Sequence, residues 1–305
     1  MLIKYGINEH SIDVTEICNN QLRRGNLIYI PSSDRMRSSY FTDPVQNVLK
    51  SIFIVNDDMS MTEYDHTKTI YISIKINKVL DISTDDFDML SPDEKVFVIH
   101  TSLQLYHGSF LDEYPEQRMA VTYLTGHEKV LEIGANIGRN SMIISYILAR
   151  KNNTDLVVLE SDTDTIPALS QNKFMNKLQF HIENSALSNR NLIQKGWETI
   201  VSDTVLEGYK KVNTIRFDEL VKKYPIQFDT LVLDCEGAFY YILQDMPEIL
   251  ENINLIIMEN DYHNLSHKEY VDSVLLSKNY TIEYREPGGW GPCQRCFYEV
   301  WKKTV

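Results

Sequence analysis

Gly134 and Gly138 stand four residues apart in KVLEIGANIGRNS, between an apolar strand-like run and a helix-like one. Glycine lets a backbone approach a ligand closely and adopt conformations that other residues avoid. A strand-to-helix turn of this kind holds phosphates in many nucleotide-binding folds, on the helix N-terminus. Two residues here are wrong for that ligand. Asn136 stands where the pattern G-x-G-x-x-G requires its second glycine, and Glu132 on the preceding strand would repel a pyrophosphate. A ligand with a positive centre reverses that sign. S-adenosylmethionine carries a sulfonium, an ammonium and no phosphate. Glu132 could attract its ammonium, directly or through water, and Asn136 could hydrogen-bond its amino-acid part. A tight turn that holds no ligand would use the same glycines.

The next strand-like run, LVVLE, ends on Glu160, 22 residues after Gly138. An acid at that place can accept hydrogen bonds from two ribose hydroxyls. Further on, Asp234 and Glu236 in LDCEG, and Glu259 and Asp261 in MENDYH, close two more strands expected to be neighbours. Four acids converging on one cleft are costly unless they meet a cation, a proton or hydrogen-bond donors. Asp234, Glu259 and Asp261 are therefore candidates for Mg²⁺, which takes oxygen ligands. Alternatively the acids hold hydroxyl groups, with Asp234, Glu236 or His263 as the catalytic base. A surface-loop role for His263 fits equally well. Trp290, Tyr240, Tyr241 and Tyr262 offer faces for a sugar ring, although aromatics more often fill cores.

Taken together, LEIGANIGRNS, ENSALS, LVLDCEGA and IIMENDY resemble, in order and spacing, the FkbM-type class I S-adenosylmethionine-dependent methyltransferases. The resemblance covers roughly residues 113 to 305. The lead-in EYPEQRM and the ending GGWGPCQRCFYEVWKK are similar to a subset from large DNA viruses. The resemblance implies O-methylation of hydroxyls, often on sugars or sugar-bearing natural products. It implies that Glu132, Gly134, Asn136 and Gly138 form the methionine-side loop and that Glu160 holds the ribose. It further implies that Asn184 and Ser185 lie near the adenine and that Asp234 ends its strand beside the methyl group. For Asn184 and Ser185 a plain loop turn is an equal alternative.

Elements must position these residues. From Lys129 on, strand-like and helix-like runs alternate, which predicts an α/β unit with a mostly parallel sheet and helices on both faces. The expected fold is a Rossmann-like class I methyltransferase with seven strands, over residues 83–305, with lead-in helices in 91–125. Ser91-Pro92-Asp93-Glu94 starts the first of these helices, which should run through VFVIHTSLQLYH. LQFHIENSAL reads as one strand, YTIEYRE and CFYEVWKK as a closing pair, and GGWGPC as a loop able to act as a lid. Residues 1–82 read as a small β-rich domain without a chemical motif, from NLIYIPSS, QNVLKSIFIV and KTIYISIKINKVLDI. Arg35, Arg37 and Asp43-Pro44 there read as surface turns, and Ser141 as a helix-start hydroxyl.

Composition removes several classes. A net charge of −13 argues against a nucleic-acid partner and against anionic membranes. No apolar run approaches the roughly 18–20 residues of a membrane span, and the amino terminus lacks the apolar core of a secretion signal. The expected location is cytoplasmic, that of a host cell if the chain is viral. The four cysteines show no disulfide framework, and the lone Cys293-x-x-Cys296 lacks two matched zinc ligands. Pro292-Cys293-Gln294 mimics the nucleophile of cytosine-5 methyltransferases, but it lies near the carboxyl terminus instead of after the fourth strand. The leading reading is a sugar or glycan O-methyltransferase using S-adenosylmethionine. A non-catalytic glycan- or partner-binding protein that retains the fold is the alternative. The oligomeric state is open, a homodimer included.

Overall fold

The structure is a computed structural model describing residues 1–304. The chain divides into two compact units, Met1–Lys95 and Val96–Val305.

The first unit contains two antiparallel four-stranded sheets. One has the order His10–Asp13, Leu2–Ile7, Ser51–Val55, Met61–Tyr64, and the other Arg23–Arg24, Leu27–Ile30, Ile70–Ser73, Lys78–Leu80. Ile3, Tyr5, Ile30, Ile52, Ile54 and Ile70 meet in one buried cluster, as β-branched and aromatic residues on pleated faces do. Val55 pairs with Met61, so Asn56-Asp57-Asp58 lies in the connecting turn. Arg37 departs from the surface-turn expectation. It is fully buried on helix Asp34–Phe41 and donates to the carbonyls of Pro31, Asp65 and Lys68 at 2.9, 2.9 and 2.6 Å. A buried guanidinium persists only where carbonyls meet its donors, and here it ties the loop at Pro31 to the turn of residues 65–68.

The second unit is built on a seven-stranded sheet. We number its strands β1 (Val130–Ile133), β2 (Leu156–Leu159), β3 (His181–Glu183), β4 (Thr230–Leu233), β5 (Leu255–Glu259), β6 (Tyr280–Glu286) and β7 (Tyr298–Lys303). The order is β3-β2-β1-β4-β5-β7-β6, and β7 runs antiparallel to both neighbours. This is a Rossmann-like α/β fold. β1, β2 and β4 are buried throughout, because helices such as Arg139–Ala149 and Phe239–Asp245 cover a parallel sheet. From β1 the chain moves outward to β2 and β3, then returns to β4 on the other side. The carboxyl ends of β1 and β4 therefore flank the switch point where such sheets take ligands.

Two expectations change in detail. The lead-in helix is Pro92–Ser102, shorter than its apolar run. Beyond it, the N–H of Gln104 is bound by Asn176 and those of Tyr106 and His107 by Asn172, which draws the chain out of the helix. The run LQFHIENSAL breaks after Glu183, and Ala186–Leu187 pairs instead with Thr214–Ile215. An additional antiparallel sheet of Leu192–Lys195, Glu198–Val201 and Lys210–Lys211 lies between β3 and β4 in the chain.

Candidate active site

The glycine turn leaves β1 at Gly134, whose φ is 93°. A β-carbon there would run into the carbonyl oxygen of Asp234 at the end of β4. Glycine is thus required twice, by conformation and by contact. Asn136 has a φ of 50°, a left-handed conformation that Asn adopts more readily than most residues. Its N–H donates to Glu160 Oε2 at 2.7 Å, and its side-chain Oδ1 accepts from the N–H of Ile137 at 2.9 Å. The side chain is therefore turned onto its own loop. Gly138, with φ 88°, occupies the N-cap of helix Arg139–Ala149. Ser141 does not cap that helix; its hydroxyl lies beside the Glu132 carboxyl.

Glu160 follows β2 and accepts from Asp162 N–H at 2.7 Å through its other oxygen. Each oxygen keeps a second lone pair for a further donor. Burial pushes its pKa up, against the backbone donors that lower it. Asn184 donates to the carbonyl of Glu160 at 2.9 Å and so braces the same loop, while Ser185 donates to Glu183 at 3.0 Å.

A cleft of about 790 Å³ opens over these strand ends. Gly134, Asn136, Glu160, Ser185, Asp234 and Glu236 all line it. Glu236 has a left-handed φ of 51°, a conformation that costs a non-glycine residue on the order of 1 kcal/mol or more and clusters at functional sites. Burial raises its pKa and the nearby His263 lowers it. Burial first, and then Glu113, Asp261, Glu116 and Glu236, raise the pKa of Asp234 well above its ordinary value.

Behind the cleft lies a void of about 10 Å³, lined by Glu113, Glu116, Glu132, Asp234 and Glu259. Gly134 and Asp234 border both spaces. Glu132 therefore sits one layer deeper than the cleft, 2% exposed, with Oε2 unpartnered. Burial raises its pKa to about 8. The Glu116 and Glu259 carboxyls lie within interaction distance of one another. Burial, Asp234 and Glu116 raise the pKa of Glu259, so it is the neutral donor of that pair. Like carboxylates at close range cannot both stay ionised.

The cation expected on Asp234, Glu259 and Asp261 has no site: among the described residues no cluster of three or more acids, histidines or cysteines is arranged to hold a metal ion. The reason is local. Glu259 is turned to Glu116, and Asp261 Oδ1 accepts from Gly237 N–H at 2.7 Å. Asp261 is raised to about 7, chiefly by burial. His263 packs on Trp290, with ring centroids 4.5 Å apart. Of the aromatics, Tyr241 lines the cleft. Tyr240 instead stacks on His267 at 3.8 Å and Tyr262 is buried in the core. GGWGPC leads into a 3-10 turn, Gly291–Cys296, with Cys293 buried.

Sequence reasoning missed Glu113 and Glu116, which lie in EYPEQRM ahead of the motifs, and the hairpin carrying Trp197. It also missed Arg190, paired with Asp245 at 2.6 Å and set 5.1 Å over the Tyr241 ring. The acids of EYPEQRM at helical spacing were the available signal for the first two.

No family model and no curated protein matches the chain in sequence. Among solved structures it is similar to methyltransferase FkbM from Methylobacillus flagellatus (13% identity, TM-score 0.42), covering 73% of this chain and 62% of that one. It is also similar to the O-methyltransferase TomG from Streptomyces achromogenes in complex with S-adenosylmethionine (10%, TM-score 0.41; 71% and 100% covered). A ribosomal protein L11 methylase from Lactobacillus delbrueckii is a third (9%, TM-score 0.41; 65% and 81% covered). At these identities the assignment of function rests on the site itself.

Proposed function

We propose that this chain is an S-adenosylmethionine-dependent O-methyltransferase acting on a hydroxyl of a sugar or glycan. The observation that carries the reading is Glu160, fixed by two backbone donors at the cleft beside Gly134. It presents a buried acid where a ribose would lie. The residues fit the rest of such a donor. Gly134 lets the turn after β1 pass against the Asp234 backbone, an approach that any side chain would block. Glu132 Oε2 and Asn140 Oδ1 are buried polar atoms without partners, bordering the void under the loop, and an ammonium group would answer both. Ser185, lining the cleft, would meet the adenine, with Asn184 holding the loop behind it.

S-adenosylmethionine supplies an electrophilic methyl group when bound. The protein's task is to align an acceptor oxygen and accept its proton. Glu236 is partly open to the cleft and electrostatically coupled to His263, so it suits the base. Asp234, pushed toward its protonated form by burial and four carboxyl neighbours, suits a hydrogen-bond donor that orients the acceptor. Among the described residues the cleft's one lining cation, Arg190, is held by Asp245, and the acids outnumber it. That balance favours an uncharged acceptor over a phosphorylated one.

Titration calorimetry with S-adenosylmethionine and with NAD tests the donor. Binding of the first and not the second is expected, and failure of the first overturns the reading. Incubation with neutral glycans and with sugar nucleotides, read by mass spectrometry, should show gain of one methylene on the neutral set.

A further inference from the structure

The hairpin Leu192–Lys195 and Glu198–Val201 turns through Gly196 and Trp197, a two-residue loop with Gly196 at a φ of 58°. Such a loop fixes the register of its strands and hence the direction of its tip. Trp197 is 70% exposed and lines the cleft, together with Thr199, Ile200 and Val201. The hairpin is anchored to the loop that follows Glu160. Ser161 Oγ donates to Gln194 Oε1 at 3.2 Å, and Lys210 of the neighbouring strand pairs with Asp164. Leu187, Ile242 and Met246 line the same cleft from other elements. A planar, weakly polar ring suits a cleft lined by an indole and aliphatic side chains.

We propose that this hairpin covers the nucleobase of the donor, with Trp197 as the stacking surface for its adenine. The inference rests on the donor reading above and adds a residue and an element to it. The probe is S-adenosylhomocysteine, in the full-length protein carrying Trp290→Phe, which leaves Trp197 and the buried Trp301 as emitters. The probe should quench the Trp197 emission, and adenosine should do the same at higher concentration. Trp197→Ala should weaken the affinity for S-adenosylhomocysteine about tenfold, within the range of base–aromatic stacking, and Trp197→Phe should restore most of it. If S-adenosylhomocysteine binds by calorimetry but neither quenches Trp197 nor weakens in Trp197→Ala, the stack is overturned and the donor reading stands. If the unaltered protein does not bind it, the donor reading falls and the stack with it.

Discussion

The N–H of Asn136 donates to Glu160 Oε2 at 2.7 Å, joining the glycine turn after β1 to the acid after β2. One carboxylate thus sets the loop conformation and faces the cleft. Glu160→Ala should weaken S-adenosylmethionine binding by roughly 10- to 100-fold, the value of hydrogen bonds to a charged group. Glu160→Gln should lose less, since its amide oxygen can still accept one backbone donor. Calorimetry measures both, and circular dichroism should show each variant folded. Unchanged affinity in Glu160→Ala removes the ribose role.

Gly134 lies against the Asp234 carbonyl at a φ of 93°, whereas Gly196 has a φ of 58° and nothing within 4 Å of an added β-carbon. The two alanine variants separate backbone strain from collision. Gly196→Ala should cost about 1 kcal/mol, the strain of a left-handed alanine. Gly134→Ala should cost roughly 3–5 kcal/mol, since strain and overpacking both apply, and should abolish donor binding. Urea unfolding gives the comparison. Equal losses would mean that the β1–β4 approach is looser than this geometry.

What the residues disclosed in advance was set by local physics. The apolar runs of β1, β2 and β4 are legible because a strand buried on both faces needs no polar positions. Gly134 and Gly138 are legible because a strand-to-helix turn demands positive φ. Depth was not legible. Glu132 reads alike whether it lines the cleft or a smaller recess behind it, and only packing shows the second. Glu113 and Glu116 reach that recess from a helical segment 19 and 16 residues upstream of Glu132, a juxtaposition that no spacing rule contains. Trp197 gains meaning only when its hairpin is seen anchored beside Ser161. Arg37 looked like a turn residue because its carbonyl partners lie far along the chain.

The depth of Glu132 has a measurable consequence. With its pKa at about 8, it holds a proton at pH 7 in the free protein. An ammonium placed beside it favours the carboxylate, so binding should release that proton. Calorimetry of S-adenosylhomocysteine at pH 7 in buffers of different ionisation enthalpy should show release of up to about one proton. 5′-Methylthioadenosine, which lacks the amino-acid part, should release none, and Glu132→Gln should suppress the release by S-adenosylhomocysteine. Binding enthalpies independent of the buffer would place the ammonium elsewhere.

The Glu116–Glu259 pair predicts how the protein responds to pH. Burial, Asp234 and Glu116 all raise Glu259 above its ordinary value of 4.5. The folded state then retains a proton that the unfolded chain has released. The stabilisation from that proton is complete below the unfolded pKa and is lost as pH rises toward the folded value. Glu132, raised to about 8, and Asp261, raised to about 7, act in the same sense. Stability measured by urea unfolding should therefore fall between about pH 5 and 8, by up to about 1.4 kcal/mol per pH unit for each such group. Glu259→Gln keeps a hydrogen-bond donor toward Glu116 and removes one titrating acid. It should lie close to the unaltered protein at pH 5, exceed it at pH 8, and show a shallower slope between. Parallel slopes for the two proteins would mean that Glu259 ionises normally in the fold, and the neutral-donor assignment would then be wrong.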